Sequence, residues 1–299
     1  MPGSNRGWRR WSTRNSARGH RMIFSRFRTL GILGCLALLL IPVIAPADEI
    51  TVFAGSASQP PLEELAAAWR QQTGNRVILH FGGSGTMLNQ IRLTGAGDLY
   101  IPGSPDFLSK AQRFRLLDPG AKILAYLLPA IIVPKGNPAK ISGLNDLARP
   151  GLRVGMADPE GVCVGLYGVE LLAFNHLLEK VRPNLVGMVE SCAKAAAMIP
   201  LGQVDAVLGW REFGSWNPAA SEVILLQPEQ IPRIAYIPAA VIRTSTRKQA
   251  AGDFLQFLTG PEGAAVFARW GYITAEADIR LLAPRAKLGG EYLLPGDWQ

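Results

Sequence analysis

Apolar positions change period repeatedly along this chain. Ile50, Val52 and Phe53 make a strand pattern, and Leu62, Leu65, Ala66 and Trp69 then fall at the i, i+3, i+4, i+7 spacing of a helix face. Pro60 and Pro61 suit the first turn of that helix, and Gly74 is placed to cap its end. Alternation returns at Val77, Leu79 and Phe81, and helical spacing follows at Met87, Leu88 and Ile91. Downstream the spacing predicts a strand over 98–101 and a helix around 107–114. An apolar run, Leu127–Val133, is closed by Pro134-Lys135-Gly136-Asn137-Pro138. A helical turn over 144–147 and a strand over 153–156 precede a long helix from about Gly165 to Val181, with Leu166, Val169, Leu172 and Leu177 on its apolar face. A helix from Ala193 to Gly202, a buried strand over 206–208, an apolar strand over 234–242 and helices over 246–258 and 261–270 complete the series.

Strands that alternate with helices predict an α/β fold with mostly parallel sheets. The runs at Leu127 and Ile234 mirror each other and are expected to be two hinge crossings between two lobes. Lobe one is then 48–127 with 243–299, and lobe two is 128–242, with a ligand held in the cleft. The alternative on pattern alone is one continuous doubly wound sheet.

Two strand-to-helix junctions carry the candidate chemistry, Phe53-Ala54-Gly55-Ser56-Ala57-Ser58 and Phe81-Gly82-Gly83-Ser84-Gly85-Thr86. Glycines let backbone approach a ligand, the first helical amides lack internal partners, and hydroxyls add neutral donors. No catalytic dyad stands beside either junction, so the pair reads as a cradle that holds an oxyanion without transforming it.

The N-terminus alters the meaning of the charge. Arg21, Arg26 and Arg28 precede an apolar run from Leu30 to Ile44, and Ala45-Pro46-Ala47 follows. This predicts a secretory signal over 1–47 cleaved before Asp48, with Met22 as an alternative start. The run is shorter than the ~20 residues of a membrane-spanning helix, so a retained anchor is the lesser alternative. Cys35 is read as an inert residue of the signal. Of 31 basic residues, eight (Arg6, Arg9, Arg10, Arg14, Arg18, Arg21, Arg26 and Arg28) precede Asp48, against none of the 23 acidic ones. The remainder is therefore balanced in charge, and the basic total is no argument for nucleic-acid binding. Beyond the signal, two cysteines remain, Cys163 and Cys192, and in an oxidising compartment a disulfide between them is expected. His80 and His176 are isolated, and no cluster has metal-site spacing.

Five segments, in order, resemble the molybdate/tungstate-type substrate-binding proteins of bacterial ABC importers. They are Val52-Phe53-Ala54-Gly55-Ser56 with Glu63-Glu64-Leu65, the Phe81–Thr86 loop, Gly97-Asp98-Leu99-Tyr100, Asp158-Pro159-Glu160 through Val164-Gly165-Leu166-Tyr167, and Pro261-Glu262-Gly263 with Phe267 to Tyr272. The resemblance implies a two-lobed periplasmic-binding-protein fold, in which serine hydroxyls and helix-start amides hold a tetrahedral dianion. It places Ser84 in the second loop with Thr86 as a helper, and Ser56 or Ser58 in the first. From lobe two it implies the amide of Val164 and that of the helix start near Cys192-Ala193, with Tyr167 from the Gly-x-Tyr signature. Where the family often carries an aromatic hydroxyl, this chain has Leu208-Gly209-Trp210, so Trp210 offers only its indole N–H. The resemblance further implies a periplasmic monomer without enzymatic activity or cofactor, which delivers molybdate or tungstate to an ABC permease. Other readings are a binding protein for sulfate, a ferric chelate or a small organic acid, and a serine hydrolase around Gly83-Ser84-Gly85. The hydrolase reading lacks the full Gly-x-Ser-x-Gly pattern.

Overall fold

The computed structural model describes residues 48–298. The predicted signal, with Met22 and Cys35, lies outside the described residues. The chain opens with β1 (Glu49–Gly55), α1 (Gln59–Thr73), β2 (Arg76–Gly82), α2 (Ser84–Thr94), β3 (Leu99–Ile101), α3 (Pro105–Arg113) and β4 (Lys122–Leu127). It continues through β5 (Pro129–Pro134), β6 (Val154–Ala157), α4 (Cys163–Phe174), α5 (Leu178–Val181), β7 (Leu185–Val189), α6 (Cys192–Ala197), β8 (Ala206–Trp210), α7 (Phe213–Trp216) and β9 (Ser221–Ile224). It closes with β10 (Arg233–Val241), α8 (Lys248–Thr259), α9 (Pro261–Arg269), α10 (Glu276–Leu282) and β11 (Lys287–Leu288).

These strands form two sheets, β11-β10-β3-β1-β2 with β4 on β10, and β7-β6-β8-β5-β9. In the first, β1 runs parallel to β2 and β3, and the register sets Gly55 beside Gly82 and Ala54 beside Ile101. Three parallel strands thus end level, and their outgoing loops lie side by side. In the second sheet β6 is parallel to β7 and β8, with Ala157 beside Val189, so the loops into α4 and α6 also leave from one edge. Carboxyl ends of parallel strands are where open α/β sheets place ligands.

The apolar run expected as one strand over 127–133 is two. Leu127 pairs with Ala235 in the first sheet, Pro129 pairs with Trp210 in the second, and only the buried Leu128 lies between. The strand expected over 234–242 is β10. It bonds to β3, β4 and β11, so the chain re-enters the first sheet between β9 and β10. The helix expected over 165–181 stops at Phe174. Asn175 Nδ2 donates to Leu171 O and Gln230 O at 2.8 and 2.9 Å, and His176 turns at φ 57° before α5 resumes the path. The helix expected over 193–202 ends at Ala197 and continues as a turn to Gly202, φ 66°.

One charged cluster is buried where the sheets meet. Arg233, 2 % exposed, donates through Nη1 to both oxygens of Asp106 at 3.0 Å and through Nε to Glu170 Oε2 at 2.7 Å. It also bonds Gly290 O at 2.8 Å, and Asp106 Oδ1 accepts the Tyr292 amide at 3.0 Å. Burial opposes the charge of Arg233, and the surrounding Tyr167, Glu170 and Asp106 override that penalty, so the guanidinium stays protonated. Burial raises the Glu170 carboxyl overall, and Arg233 offsets only part of that rise.

Candidate functional site

Ser84 is the first residue of α2, and the extended Gly83 before it turns β2 into the helix. Its Oγ accepts the Gly103 amide at 3.0 Å, and its carbonyl accepts the Tyr100 hydroxyl at 2.8 Å. Gly55 lies so close that a Cβ there would stand 2.7 Å from Ser84 Oγ and 2.8 Å from Gly103 N. The three loops brace one another, and side chains at Gly55 or Gly103 would part them.

Across the cleft, Ser56 Oγ accepts the Ala193 amide at 3.1 Å, and the Gly85 amide donates to Gly161 O at 2.8 Å. Ser56 and Ser84 are both buried. Each hydroxyl oxygen accepts a backbone N–H, which leaves its own proton available to a third atom. Ser58 differs: its Oγ donates to Gly55 O at 3.1 Å and closes the turn after β1. Thr86 sits on the exposed side of α2. The structure therefore brings Ser56, Ser84 and Ala193 together, turns Ser58 inward on its own loop, and leaves Thr86 outside.

Cys163 and Cys192 begin α4 and α6 and are both buried. Their sulfurs lie 3.5 Å apart as free thiols. A bonded pair stands at about 2.05 Å, so the expected disulfide is not closed here; the sulfurs touch without bonding. A Cβ on Gly103 would collide with Cys163 Sγ, which places that thiol against the first sheet's loops. Burial and Cys163 raise the Cys192 thiol well above its ordinary value, while the Val164 amide and the Trp210 indole N–H pull it the other way. Trp210 Nε1 closes no hydrogen bond of ordinary geometry. The Tyr167 ring meets that of Trp210 edge-on at 5.1 Å, and the Arg233 guanidinium lies 3.9 Å from the Tyr167 centroid.

Sequence reasoning missed two polar groups. Ser104 is fully buried, and its hydroxyl has no partner. Its signal was present: Ile101-Pro102-Gly103-Ser104 is a third strand-to-helix junction, masked by a strand of three residues. Glu212, two residues past Trp210, is 1 % exposed; Arg211 Nε reaches its Oε1 at 3.3 Å, and Oε2 has no partner. Nothing about a single glutamate after an apolar strand marks it as buried. Desolvation pushes its pKa up to about 7. The folded chain therefore holds this proton more tightly than the unfolded chain, whose pKa is about 4.3. That stabilisation is full below the unfolded pKa and disappears as pH rises through 7, a span of about 4 kcal/mol. Tm measured from pH 5 to 8 should fall more steeply in the wild type than in Glu212→Gln. Parallel curves would mean that Glu212 is ionised throughout.

Among the described residues, no helix is long and apolar enough to cross a membrane, and no group of three or more His, Cys, Asp or Glu is placed to hold a metal ion. Residues 50–273 match the family described as bacterial extracellular solute-binding protein. The chain belongs to that family. This solute-binding protein is 26 % identical over 251 residues to the molybdate-binding protein ModA of Rhodobacter capsulatus, covering 81 % of this chain and 96 % of the relative. The periplasmic molybdate-binding protein of Azotobacter vinelandii shares its fold with a TM-score of 0.67 at 19 % identity, over 76 % of this chain and 100 % of that one. The sulfate-binding protein SubI of Mycobacterium tuberculosis gives 0.69 at 19 % identity, over 81 % and 94 %. The fold is thus the two-lobed α/β fold of periplasmic binding proteins.

Proposed function

We propose that this solute-binding protein captures molybdate or tungstate between its lobes in the periplasm and hands it to the permease of an ABC importer, acting by binding alone. The hinge is formed by the β4–β5 and β9–β10 connections, and the leader over 1–47 directs export. The observation that carries this reading is the pair of buried hydroxyls, Ser56 and Ser84. Their oxygens are occupied by backbone amides, and their protons are free to donate. The start of α4 brings the amide of Val164, the end of β8 the indole of Trp210, and the Ala193 amide at the start of α6, held by Ser56 Oγ here, turns to the anion when one binds. Tyr167 packs behind Trp210 and fixes its ring.

A set of neutral donors prefers an anion with no proton of its own, because a protonated oxygen also needs an acceptor. This favours molybdate and tungstate over phosphate. Hydrogen bonds to charged groups contribute about 1.5–3 kcal/mol each, so four or five of them reach the ~8 kcal/mol of micromolar affinity after ordering costs. Calorimetry of protein recovered after export, against molybdate, tungstate, sulfate and phosphate at pH 7.5, tests the reading. Binding of the first two with little heat from the others is expected. Silence with all four would overturn it, and a preference for sulfate would replace the ligand.

A further inference from the structure

We propose that Cys163 and Cys192 are a redox-active pair in the wall of the ligand cradle, and that their oxidation to a disulfide tightens the hold on the oxyanion. The proposal rests on the oxyanion reading above. The two thiols are the first residues of α4 and α6; the second residue of α6 donates its amide to Ser56 Oγ, and the loop into α4 accepts the Gly85 amide beside Ser84. They touch at 3.5 Å, and both are buried. Cys163 Sγ presses on Gly103, the residue whose amide bonds Ser84 Oγ. The Val164 amide and the Trp210 indole face the Cys192 sulfur, although both are candidate ligand donors. In the thiol form, sulfur therefore stands where the anion's donors converge.

Oxidation changes two things at once. The S–S distance falls from 3.5 Å to about 2.05 Å, which moves Cys163 Sγ relative to Gly103 and the Ser84 loop it touches. The bond also ties the starts of α4 and α6 together, so less motion is lost when the anion orders them. The reaction is an exchange with an external disulfide: Cys163–SH and Cys192–SH give up two protons and two electrons, the S–S bond forms, and the external disulfide leaves as two thiols. Opening of the lobes gives the oxidant access to the buried pair.

The test compares two forms of the exported protein, one equilibrated with oxidised glutathione and one with dithiothreitol. Thiol alkylation after denaturation, read by mass, should find no free thiol at 163 and 192 in the first form and two in the second. Calorimetry with molybdate should then give at least fivefold tighter binding to the oxidised form. The Cys163→Ala/Cys192→Ala variant should bind identically under both reagents. A pair that fails to cross-link, a smaller or reversed ratio, or a variant that still responds would overturn the proposal. Absence of binding to molybdate, tungstate and sulfate by either form would overturn the oxyanion reading instead, a result that equal binding by both forms cannot mimic.

Discussion

Arg233→Met should destabilise the protein by about 3–5 kcal/mol, the cost of removing one partner from a buried ionic cluster. Methionine fills much of the volume, so the loss is electrostatic rather than a cavity. Asp106 and Glu170 would be left as carboxylates in an apolar interior, with only the Tyr292 amide still serving Asp106. Lysine would not rescue the site, because one ammonium cannot span two carboxylates and the Gly290 carbonyl as the planar fork does. Urea denaturation should show a lower midpoint at an unchanged slope. A loss under 1 kcal/mol would show that water screens the cluster. The position matters as much as the energy: Asp106 lies on α3 beside the first sheet, Glu170 on α4 beside the second, and Arg233 opens the returning strand β10. The same variant should therefore also weaken ligand binding, since closure loses a brace at the hinge.

Ser84→Ala should weaken molybdate binding tenfold to a hundredfold, about 1.4–3 kcal/mol, through loss of one hydrogen bond to a charged ligand. Stability should fall by only about 1 kcal/mol, because the Gly103 amide loses its acceptor while Tyr100 keeps the Ser84 carbonyl. Ser58→Ala is the informative contrast. The Ser58 proton is engaged by Gly55 O, so this variant should bind molybdate within about threefold of the wild type. Calorimetry of the two side by side decides the assignment. Equal losses would place the anion nearer the β1 turn, and no loss in Ser84→Ala would remove the α2 start from the site.

Much of this arrangement was legible because it is local. The α1 and α2 starts are written in proline, glycine and hydroxyl residues that act on their own few neighbours, and Gly74 caps α1 at φ 77° as its position implied. Where the chain was misread, a distant partner had decided the outcome. Leu127–Val133 is uniformly apolar, and only its pairing with Ala235 on one side and Trp210 on the other divides it at Leu128. The break at His176 depends on the carbonyl of Gln230, 55 residues beyond Asn175. The edge strands β7 and β9 are short and half-exposed; β7 is apolar on both faces, with Val186 and Met188 turned outward, so no alternation marks it as a strand. In the site, the hydroxyls of Ser56 and Ser58 are alike in sequence, and only a hydrogen bond from another lobe tells them apart. The closeness of Cys163 and Cys192 followed from their being a lone pair, whereas the 3.5 Å that leaves them unbonded depends on how two helix starts pack.

The bond from Ala193 to Ser56 has a bearing on release. When an anion departs, a buried amide left without an acceptor would raise the barrier to its leaving by the cost of an unsatisfied donor. Here the vacated amide has a neutral acceptor, Ser56 Oγ, 3.1 Å away. The outgoing bond from Ala193 can thus be exchanged for one within the protein as it breaks. Uptake runs the same exchange backwards, so the anion gains only the difference between its own bonds and those it displaces. On the proposed function, the clamp gives up part of its grip, and release of the anion is the easier for it.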